Sequence, residues 1–447
     1  MAKIFMQLRS LLVVGLLCLC CDYVYAAEYQ VISLGDFYGH GMNNSGQLAG
    51  ERNLGNGSIH ACIRDDNAGV QDLGALGGNG YEWSVAYDIS SSGQAVGRTT
   101  TSEGYDHAFL WDSTNGMQDL GTLGGHYSFA YGINSSGEVV GEANTGVCQG
   151  VACNNAFIWN SSNGMQGLGT LGGNFSAAFD INNSGKVVGM SYNSFLNHAF
   201  VWDSMNGMRD IGLFAGADKS SQANAINDAG QVVGFSTSSY YSSWPDPHYP
   251  STAFIWDEVN GIHDLGTLGY SSVATDINNL GQVVGYNVFH SSEYYWERAF
   301  IWDSVNGMRE LKDLIPQNSG WFLSRAEAIN DAGQIVVAGY NENNYYDGTR
   351  AFLLTPTAAP EPIRIAGPTP VYYSSLQSAY DDAGDEDIIQ SRVVILSEDL
   401  YIDGSKSVTI RGGYASDYAM SNGITILNGN IVISNGTLTI DNIKLVL

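Results

Sequence analysis

Residues 108–141 read AFLWDSTNGMQDLGTLGGHYSFAYGINSSGEVVG, and variants of this stretch recur along most of the chain. The glycine that closes the Ile-Asn-x-x-Gly turn, or its variant, recurs at Gly46, Gly93, Gly137, Gly185, Gly230, Gly281 and Gly333. The intervals are 47, 44, 48, 45, 51 and 52 residues. Propeller blades of the WD40 and kelch types repeat at about 40–50 residues. Seven copies of one unit therefore organise the chain.

Each unit contains four short runs that favour β-strands. An Asn-Gly pair, the strongest short hairpin signal, joins the AF-x-WD run to the M-x-D-L-G run. It occurs at Asn115-Gly116, Asn163-Gly164, Asn206-Gly207, Asn260-Gly261 and Asn306-Gly307. The Ile-Asn-x-x-Gly turn makes a second hairpin with Val-Val-Gly. Each unit is thus predicted to be a four-stranded antiparallel sheet, and seven such sheets predict an all-β, seven-bladed β-propeller.

The two ends of the repeat region carry complementary half-units. Residues 29–35 resemble an M-x-D-L-G strand without its AF-x-WD partner, and Ala351-Phe352-Leu353-Leu354 form an AF strand without its successor. We therefore predict that the N-terminal strand completes the last blade. An open solenoid of the same units is the alternative.

Residues 28–356 resemble the extracellular HAF-repeat proteins, which take their name from the tripeptide seen at His107-Ala108-Phe109 and His198-Ala199-Phe200. The motifs LGTLGG, INxSGxVVG and AFxWD recur in fixed order, although the first unit departs with His60-Ala61-Cys62. The resemblance implies a secreted, propeller-like repeat protein. It implies no defined catalytic activity.

Composition narrows the classes of function. The chain has 447 residues with 55 glycines, only 14% charged residues and a formal net charge of −27. Coiled coils and disordered chains need denser charge. A strongly acidic protein repels phosphate backbones and anionic membrane surfaces, so nucleic-acid binding is disfavoured.

The first 26 residues indicate a secretory signal peptide. Lys3 and Arg9 precede an apolar run from Leu11 to Cys21, and Val24-Tyr25-Ala26 provides a cleavage site. The run is too short for a transmembrane helix, and none is predicted elsewhere. We expect a secreted protein (extracellular, periplasmic or cell-surface) after cleavage near Ala26, with the propeller at 27–356.

A proline-rich linker is predicted at 357–370, followed by a smaller module at 371–447. Residues 375–383 suggest a short amphipathic helix, and later runs such as Val408-Thr409-Ile410 and Ile431-Val432-Ile433 alternate between Asn/Gly turns. The module resembles the opening helix and first rungs of a right-handed parallel β-helix. It carries no recognisable lyase or esterase site.

Residues repeated in every unit are interpreted as structural, so no catalytic residue, cofactor or metal is predicted. Repeated aspartates usually satisfy backbone groups at turns, and repeated tryptophans are expected between blades. His60, His107 and His198 share a position that other units fill with Asn, Thr or Arg. Calcium at the Asn-Asp pairs of the inner turns stays an alternative, although the known loop spacing is missing.

Three cysteines remain in the mature chain. Cys148 and Cys153 flank a short loop and are predicted to form a disulfide in an oxidising compartment. Cys62 stands where the sibling units carry Phe, and is predicted to be a buried, inert thiol.

The segments between Val-Val-Gly and AF vary most, and in the last three units they are rich in aromatic residues. Such loops on a rigid scaffold commonly carry function, and Tyr and Trp anchor interfaces. We predict a non-enzymatic recognition or scaffold protein that binds a glycan or protein on one propeller rim. The alternative is a carbohydrate-active enzyme that uses rim carboxylates such as Asp246 or Glu293. The predicted ligand-binding residues are Tyr240, Tyr241, Trp244, His248, Tyr249, Tyr294, Tyr295, Trp296, Tyr345 and Tyr346.

Overall fold

The computed structural model describes most of the chain after residue 27, with short gaps. The described residues are 28–55, 57–66, 68–77, 82–148, 151–193, 195–213, 220–237, 250–291, 294–341, 350–357, 363–367, 370–392, 395–414 and 424–446, with backbone alone at 147–148, 151–152, 395 and 397. The predicted signal peptide lies outside them.

Seven four-stranded antiparallel sheets, here called blades, follow one another along the chain. Strand β1 spans Tyr29–Ser33. Blade one contains β2 (Phe37–Met42), β3 (Leu48–Asn53), β4 (Ile59–Asp65) and β5 (Gly69–Asp72). Blade two contains β6 (Ser84–Ile89), β7 (Ala95–Thr100), β8 (Asp106–Asp112) and β9 (Gly116–Asp119). Blade three contains β10 (Ser128–Ile133), β11 (Val139–Cys148), β12 (Val151–Asn160) and β13 (Gly164–Gly169).

Blade four contains β14 (Ser176–Ile181), β15 (Val187–Tyr192), β16 (Asn197–Asp203) and β17 (Gly207–Gly212). Blade five contains β18 (Ser220–Ile226), β19 (Val232–Thr237), β20 (Ser251–Asp257) and β21 (Gly261–Gly266). Blade six contains β22 (Ser271–Ile277), β23 (Val283–His290), β24 (Tyr295–Asp303) and β25 (Gly307–Glu310), followed by a 3-10 turn at Leu311–Leu314. Blade seven contains β26 (Trp321–Ile329), β27 (Ile335–Asn341) and β28 (Arg350–Pro356) together with β1.

The blades form a closed ring. The first strand of each blade contacts the first strand of the next, and β26 of blade seven contacts β2 of blade one. The chain therefore runs outward from a central axis within each blade and returns to the axis at the next. This is the predicted seven-bladed propeller of four-stranded antiparallel blades, and the open solenoid is wrong.

The N-terminal strand closes the ring as predicted. β1 pairs antiparallel with β28, with Val31 opposite Leu354 and Ser33 opposite Phe352. The backbone N–H of Leu34 continues the ladder to the carbonyl oxygen of Ala351 at 3.0 Å. The outer edge of blade seven is thus covered by residues from the other end of the repeat region.

The V-V-G motif has a steric cause. In blade three the register of β10 against β11 shifts between Ala130 and Gly132, which leaves Tyr131 as a bulge. A Cβ on Gly141, opposite this bulge, would lie 1.9 Å from the carbonyl oxygen of Phe129. Because no side chain fits at that distance, the strand that faces the bulge requires glycine.

The I-N-x-x-G motif makes a turn and a bond between blades. Gly185 closes its turn with a φ of +79°, which glycine adopts without strain. Asn182 Oδ1 accepts hydrogen bonds from the backbone N–H groups of Ser184 and Lys186 within the turn. Its Nδ2 donates to the carbonyl oxygen of Asn227 in the next blade at 3.0 Å. The amide therefore holds its own turn and its neighbour together.

The same link recurs around the axis, and we call its members the asparagine ring. The donor side chains are Asn43, Asn134, Asn182, Asn227, Asn278 and Asn330, and the last donates back to the carbonyl oxygen of Asn43. All six are buried. Blade two has Ser90 at this place; its hydroxyl accepts from Gln94 N–H within the turn, but it carries no amide to reach blade three.

Apolar side chains fill the space between blades. Phe109 of blade two packs with Ala49, Ala61 and Ile63 of blade one, and the later AF phenylalanines repeat this packing. Burial of a phenylalanine side chain contributes about 1.5–3 kcal/mol. The repeated tryptophans pack in the same clusters, as predicted, and Trp111 and Trp159 are among the buried residues of these clusters.

Blade one lacks this phenylalanine and compensates for it. Cys62 occupies the position, and the fully buried ring of Phe37 lies in the same cluster with Leu48 and Val336. Burial raises the pKa of the Cys62 thiol to about 12. Cys62 is buried, as predicted, and the raised pKa favours the protonated thiol. Its lack of reactivity stays a prediction.

The residues after the ring form smaller sheets with a separate apolar cluster. Helix α1 (Leu376–Asp382) lies where the sequence predicts it, and Ser375 caps it. The strands are β29 (Ile363–Ile365), β30 (Val371–Tyr373), β31 (Ile388–Arg392), β32 (Ile395–Ser397), β33 (Leu400–Ile402), β34 (Ser407–Tyr414), β35 (Thr425–Asn428), β36 (Ile431–Ile433), β37 (Thr437–Asp441) and β38 (Ile443–Val446). Parallel pairs join β31 to β34 and β34 to β37, β32 to β35 and β35 to β38, and β33 to β36.

None of the helices in the described ranges is long and apolar enough to cross a membrane.

Removal of β1 should destabilise the propeller. A protein that begins at residue 36 would expose the edge of β28, and unpaired edges promote aggregation. We expect a lower melting temperature or aggregation relative to a protein that begins at residue 27, measured by differential scanning calorimetry. Equal melting of the two proteins would show that β1 does not contribute to closure.

Each hydrogen bond of the asparagine ring should contribute measurably to the free energy of unfolding. Asn182→Ala leaves buried backbone groups without partners, so we expect a loss of about 1–3 kcal/mol in the free energy of unfolding. Leu280→Ala, at an exposed position of the equivalent turn in blade six, is the control and should change it by less than about 0.5 kcal/mol.

Adding the missing seventh link should stabilise the propeller. Ser90→Asn would supply the amide that blade two lacks and should raise the stability by about 0.5–1.5 kcal/mol. Denaturant unfolding of both variants measures these changes, and a destabilised Ser90→Asn protein would contradict the proposed role of the link.

Candidate functional site

The propeller has two faces with different connections. Turns between the first and second strands, and between the third and fourth, lie on one face, which we call the turn face; Asn134–Gly137 and Asp112–Gly116 are examples. Links between the second and third strands, and from one blade to the next, lie on the opposite face, which we call the connection face. The alternating strand directions impose this separation.

The described strands that flank the predicted ligand-binding segments end or begin at the connection face. These segments join the second and third strands of blades five, six and seven, between β19 and β20, β23 and β24, and β27 and β28. Of the ten predicted residues, Tyr240, Tyr241, Trp244, His248, Tyr249, Tyr345 and Tyr346 lie outside the described residues, as do Asp246 and Glu293. The structure therefore places Tyr294, Tyr295 and Trp296.

The hairpin of blade six presents two tyrosines to solvent. Tyr294 is 69% exposed and Tyr295 is 43% exposed. The ring of Tyr295 lies 4.8 Å from that of His290, which lies 5.6 Å from that of Tyr270. We call these four residues the aromatic patch. Tyr270 comes from the link between blades, so the patch joins both kinds of connection.

Trp296 differs from its neighbours because successive strand residues point to opposite sides. It is only partly exposed, and its ring stacks on Phe289 with centroids 5.9 Å apart and planes 10° apart. The guanidinium of Arg298 lies 4.8 Å from the Phe289 ring and also bonds to Glu310. Trp296 therefore contributes to the packing of the hairpin, and its predicted contact with a ligand stays a prediction.

Sequence reasoning missed a second aromatic group on the connection face. Tyr105 stacks on His126 with centroids 4.4 Å apart and meets Tyr127 edge-on at 5.5 Å. Tyr192 and the highly exposed Phe195 follow in blade four. The signal was His126-Tyr127 directly after LGTLGG, where other units carry Ser, Phe or Asn. Aromatic side chains thus lie on this face in blades two to four as well as blade six.

The repeated polar residues are structural, as interpreted from the sequence. His107 Nδ1 donates to the Asp119 carboxylate at 2.9 Å, and Asp119 also accepts the backbone N–H of Gly121. Equivalent pairs form between His60 and Asp72 and between His198 and Asp210. These aspartates hold the outer strand and the following glycine turn.

The aspartates of the AF-x-WD runs hold turns. Asp112 Oδ1 accepts from the backbone N–H groups of Thr114 and Asn115. These bonds, together with the Asn115 side chain, lower the pKa of Asp112 below its usual value. Within the described part of the chain no group of three His, Cys, Asp or Glu side chains could hold a metal ion. The Asn-Asp pairs proposed for calcium instead bond to the next blade, as Asn183 does to Asp228 at 2.9 Å.

The predicted disulfide depends on Cys148, whose side chain lies outside the described residues. The backbone places Cys148 opposite Val151 at the end of the β11–β12 hairpin. The Cys148–Cys153 bond stays a prediction.

A cavity of about 300 Å³ opens on the axis at the turn face. Its deepest lining residues are the bulged residues of the seven first strands, which we call the bulge ring: His40, Tyr87, Tyr131, Phe179, Asn224, Thr275 and Glu327. The asparagine ring, the exposed residues Asn183 and Asp228, and the partly buried Asp331 line its mouth.

Three partly buried aspartates line the cavity wall in alternate blades. Asp180 Oδ2 accepts the backbone N–H of Ile226 in the next blade at 2.8 Å, and Asp88 and Asp276 make equivalent bonds. Burial raises the pKa of Asp180 to about 8, with a further rise from the charge of Asp88. Burial also raises the pKa of Asp276 to about 7 and raises that of Asp88.

The raised pKa values predict a loss of stability at alkaline pH. The unfolded value is near 3.8, so the contribution of Asp180 and Asp276 is complete below pH 4 and is lost as the pH rises through 7 and 8. Asp180→Asn should therefore show a smaller fall in melting temperature between pH 6 and pH 9 than the parent.

The readout is this pH dependence, because the variant also loses one backbone acceptor at every pH. Asp112→Asn, which changes a partly exposed carboxylate whose pKa is lowered by the hydrogen bonds of its turn, is the control and should keep the parent's slope between pH 6 and pH 9. If Asp180→Asn and the parent fall equally, Asp180 does not titrate in this range.

Comparison with known proteins gives limited similarity. The model of a family described as protein of unknown function (DUF3466) matches residues 172–268, which include blades four and five. No curated protein matches the chain.

The solved structures that are similar to this chain include one described as a β-propeller domain, and the three given below are at most 11% identical to it. An acylaminoacyl peptidase from Pyrococcus horikoshii is 9% identical, with 88% of this chain and 77% of that chain covered and a TM-score of 0.45. The β-propeller domain of the Trilobed protease from Pyrococcus furiosus is 10% identical, with 64% and 88% covered and a TM-score of 0.40. A lectin from Burkholderia pseudomallei is 11% identical, with 72% and 97% covered and a TM-score of 0.38. The propeller assignment rests on this chain's own strand pairing.

Proposed function

We propose that this protein is a non-enzymatic binding protein that recognises a glycan on the connection face. The observation that carries the proposal is the aromatic patch, in which two exposed tyrosines adjoin His290 and Tyr270. Large exposed aromatic groups are costly in water unless a partner covers them. Their flat faces suit the apolar faces of sugar rings, and their polar tips suit hydroxyl groups.

The position of the patch supports recognition. His290 and Tyr295 lie on two paired strands of the closed ring, so their rings need little ordering when a ligand binds. The Tyr105, His126 and Tyr127 group offers a second platform on the same face. An extended glycan is the ligand that uses separate aromatic platforms most directly.

The repeated carboxylates and histidines support a binding role over catalysis, because their hydrogen bonds hold strands and turns. The alternative is a carbohydrate-active enzyme using Asp246 and Glu293, and it predicts turnover of the bound glycan. A protein ligand for the same face is the other alternative.

The wider assignment is also a proposal. We infer that the chain is an exported member of the HAF-repeat proteins, with cleavage near Ala26. We further infer that its C-terminal sheets are the first rungs of a right-handed parallel β-helix, which the parallel pairing of β31, β34 and β37 supports.

The test is a glycan-array screen of the mature protein, followed by titration of the bound glycan. Tyr295→Ala should weaken binding by about tenfold or more without changing the melting temperature, since truncation of a central aromatic contact costs about 2 kcal/mol. Tyr401→Ala, which removes a similarly exposed tyrosine after the ring, is the matched control and should bind normally.

Trp296→Ala distinguishes contact from packing, and we expect it to lower the melting temperature because the stack on Phe289 is lost. An array without binding, or a bound glycan that Tyr295→Ala binds as tightly as the parent, would contradict the proposal. Hydrolysis of the bound glycan by the parent would favour the enzyme.

A further inference from the structure

The bulge ring is the layer of the axis that departs most from sevenfold symmetry. In blades one to four it carries His40, Tyr87, Tyr131 and Phe179, whose successive ring centroids are 5.6, 5.7 and 5.5 Å apart. In blades five to seven it carries Asn224, Thr275 and Glu327. The deep end of the cavity therefore has an aromatic side and a polar side. Packing seven similar blades around an axis does not require one side to be aromatic and the other polar.

Acidic side chains dominate the ionisable groups of the described cavity lining, which contains neither Lys nor Arg. Six described lining residues carry a carboxyl group: Asp88, Asp180, Asp228, Asp276, Glu327 and Asp331. Burial raises the pKa of Asp88, Asp180, Asp276 and Glu327 and favours their neutral forms. Asp228 and Asp331 at the mouth are therefore the carboxylates that attract a cation into the cavity.

A second observation is the imidazole of His40. It lines the cavity, its Nε2 is buried, and this nitrogen has no hydrogen-bond partner. Burial lowers the pKa of His40 to about 4, so the ring is neutral near pH 7. A buried polar atom without a partner is uncommon in folded proteins. A neutral imidazole also adds no positive charge that would oppose a cation.

The aromatic residues near the floor already attract a cation from within the protein. The guanidinium of Arg98, which does not line the cavity, lies 4.5 Å from the Trp83 ring, 5.0 Å from the Phe129 ring and 5.9 Å from the Tyr87 ring. Aromatic faces bind ammonium groups by the same attraction, and aromatic cages recognise quaternary ammonium ligands.

We propose that the axial cavity binds a small organic ammonium ion, with the ammonium group against the aromatic side of the bulge ring and beneath the acidic mouth. A volume of about 300 Å³ admits a molecule of the size of choline or a lysine side chain. Among the described residues no set of three ligands suits a metal ion, and an aromatic floor suits an organic cation better than a hydrated one. This site is on the opposite face from the proposed glycan site and is independent of it.

The experiment compares choline with 3,3-dimethyl-1-butanol, which has the same shape without the charge, by titration calorimetry on the mature protein. Choline should bind and the neutral alcohol should bind at least about tenfold more weakly, because the attraction depends on charge. Nα-acetyl-lysine methylamide is a third probe. Tighter binding of this probe than of choline would identify a lysine side chain of a partner as the source of the ammonium group, which supports the proposal.

Two variants at one position test the aromatic contact. Phe179→Leu removes a ring of the floor and should weaken choline binding by at least about threefold, whereas Phe179→Tyr retains the ring and should bind within about twofold. Glycan binding by Tyr295→Ala is measured separately, so failure at one face leaves the other proposal standing. Equal binding of choline and the neutral alcohol, no binding of either ammonium probe, or displacement of choline by millimolar Ca²⁺ would overturn the proposal.

Discussion

The buried asparagine of the inner turn is the interaction on which the propeller depends. One amide group accepts from its own turn and donates to the carbonyl oxygen of the next blade, as Asn182 does between Ser184 and Asn227. Backbone groups buried at the axis need such partners because water is excluded from them. Six repetitions of this bond, with Asn330 donating back to Asn43, place the seven first strands at one radius.

The other repeated residues serve the same closed geometry. Phenylalanines fill the space between blades, the glycine of V-V-G admits the bulge, and the His107–Asp119 pair holds the outer strand. A serine at the start of the first strand adds another link; Ser128 Oγ accepts the N–H of Ala108 in the preceding blade and donates to Gly121. The polar groups of these residues are already hydrogen-bonded within the propeller. Residues that do not repeat are therefore the better candidates for contacts with a ligand.

The residues that do not repeat lie in two places on opposite faces. Aromatic side chains occupy the connection face, where Tyr294 and Tyr295 adjoin Tyr270. The bulge ring lies around the axis. Every blade has a backbone bulge at this position, but the side chain at the bulge differs from blade to blade. A bulge turns one side chain per strand toward the axis without disturbing the ladder beyond it. Seven positions can therefore vary while the ring stays closed.

The sequence by itself determined the number of blades, their four strands, the closure by residues 29–34 and the buried position of Cys62, because each follows from local patterns. Turn glycines, Asn-Gly pairs and alternating apolar runs each specify the local structure of a few neighbouring residues. The two half-units can be recognised as complementary by comparing their sequences. It also indicated which repeated residues were structural.

Only the tertiary structure decided what each motif bonds to. The partner of Asn182 is 45 residues away, and the bulge that brings Tyr87, Tyr131 and Phe179 together is not visible as a motif. Trp296 and Tyr295 are adjacent in sequence, yet one packs inward and the other faces solvent, since strand residues alternate. Spacing along the chain shows where a ring of strands repeats, but contacts across the ring depend on distances between blades that spacing does not contain.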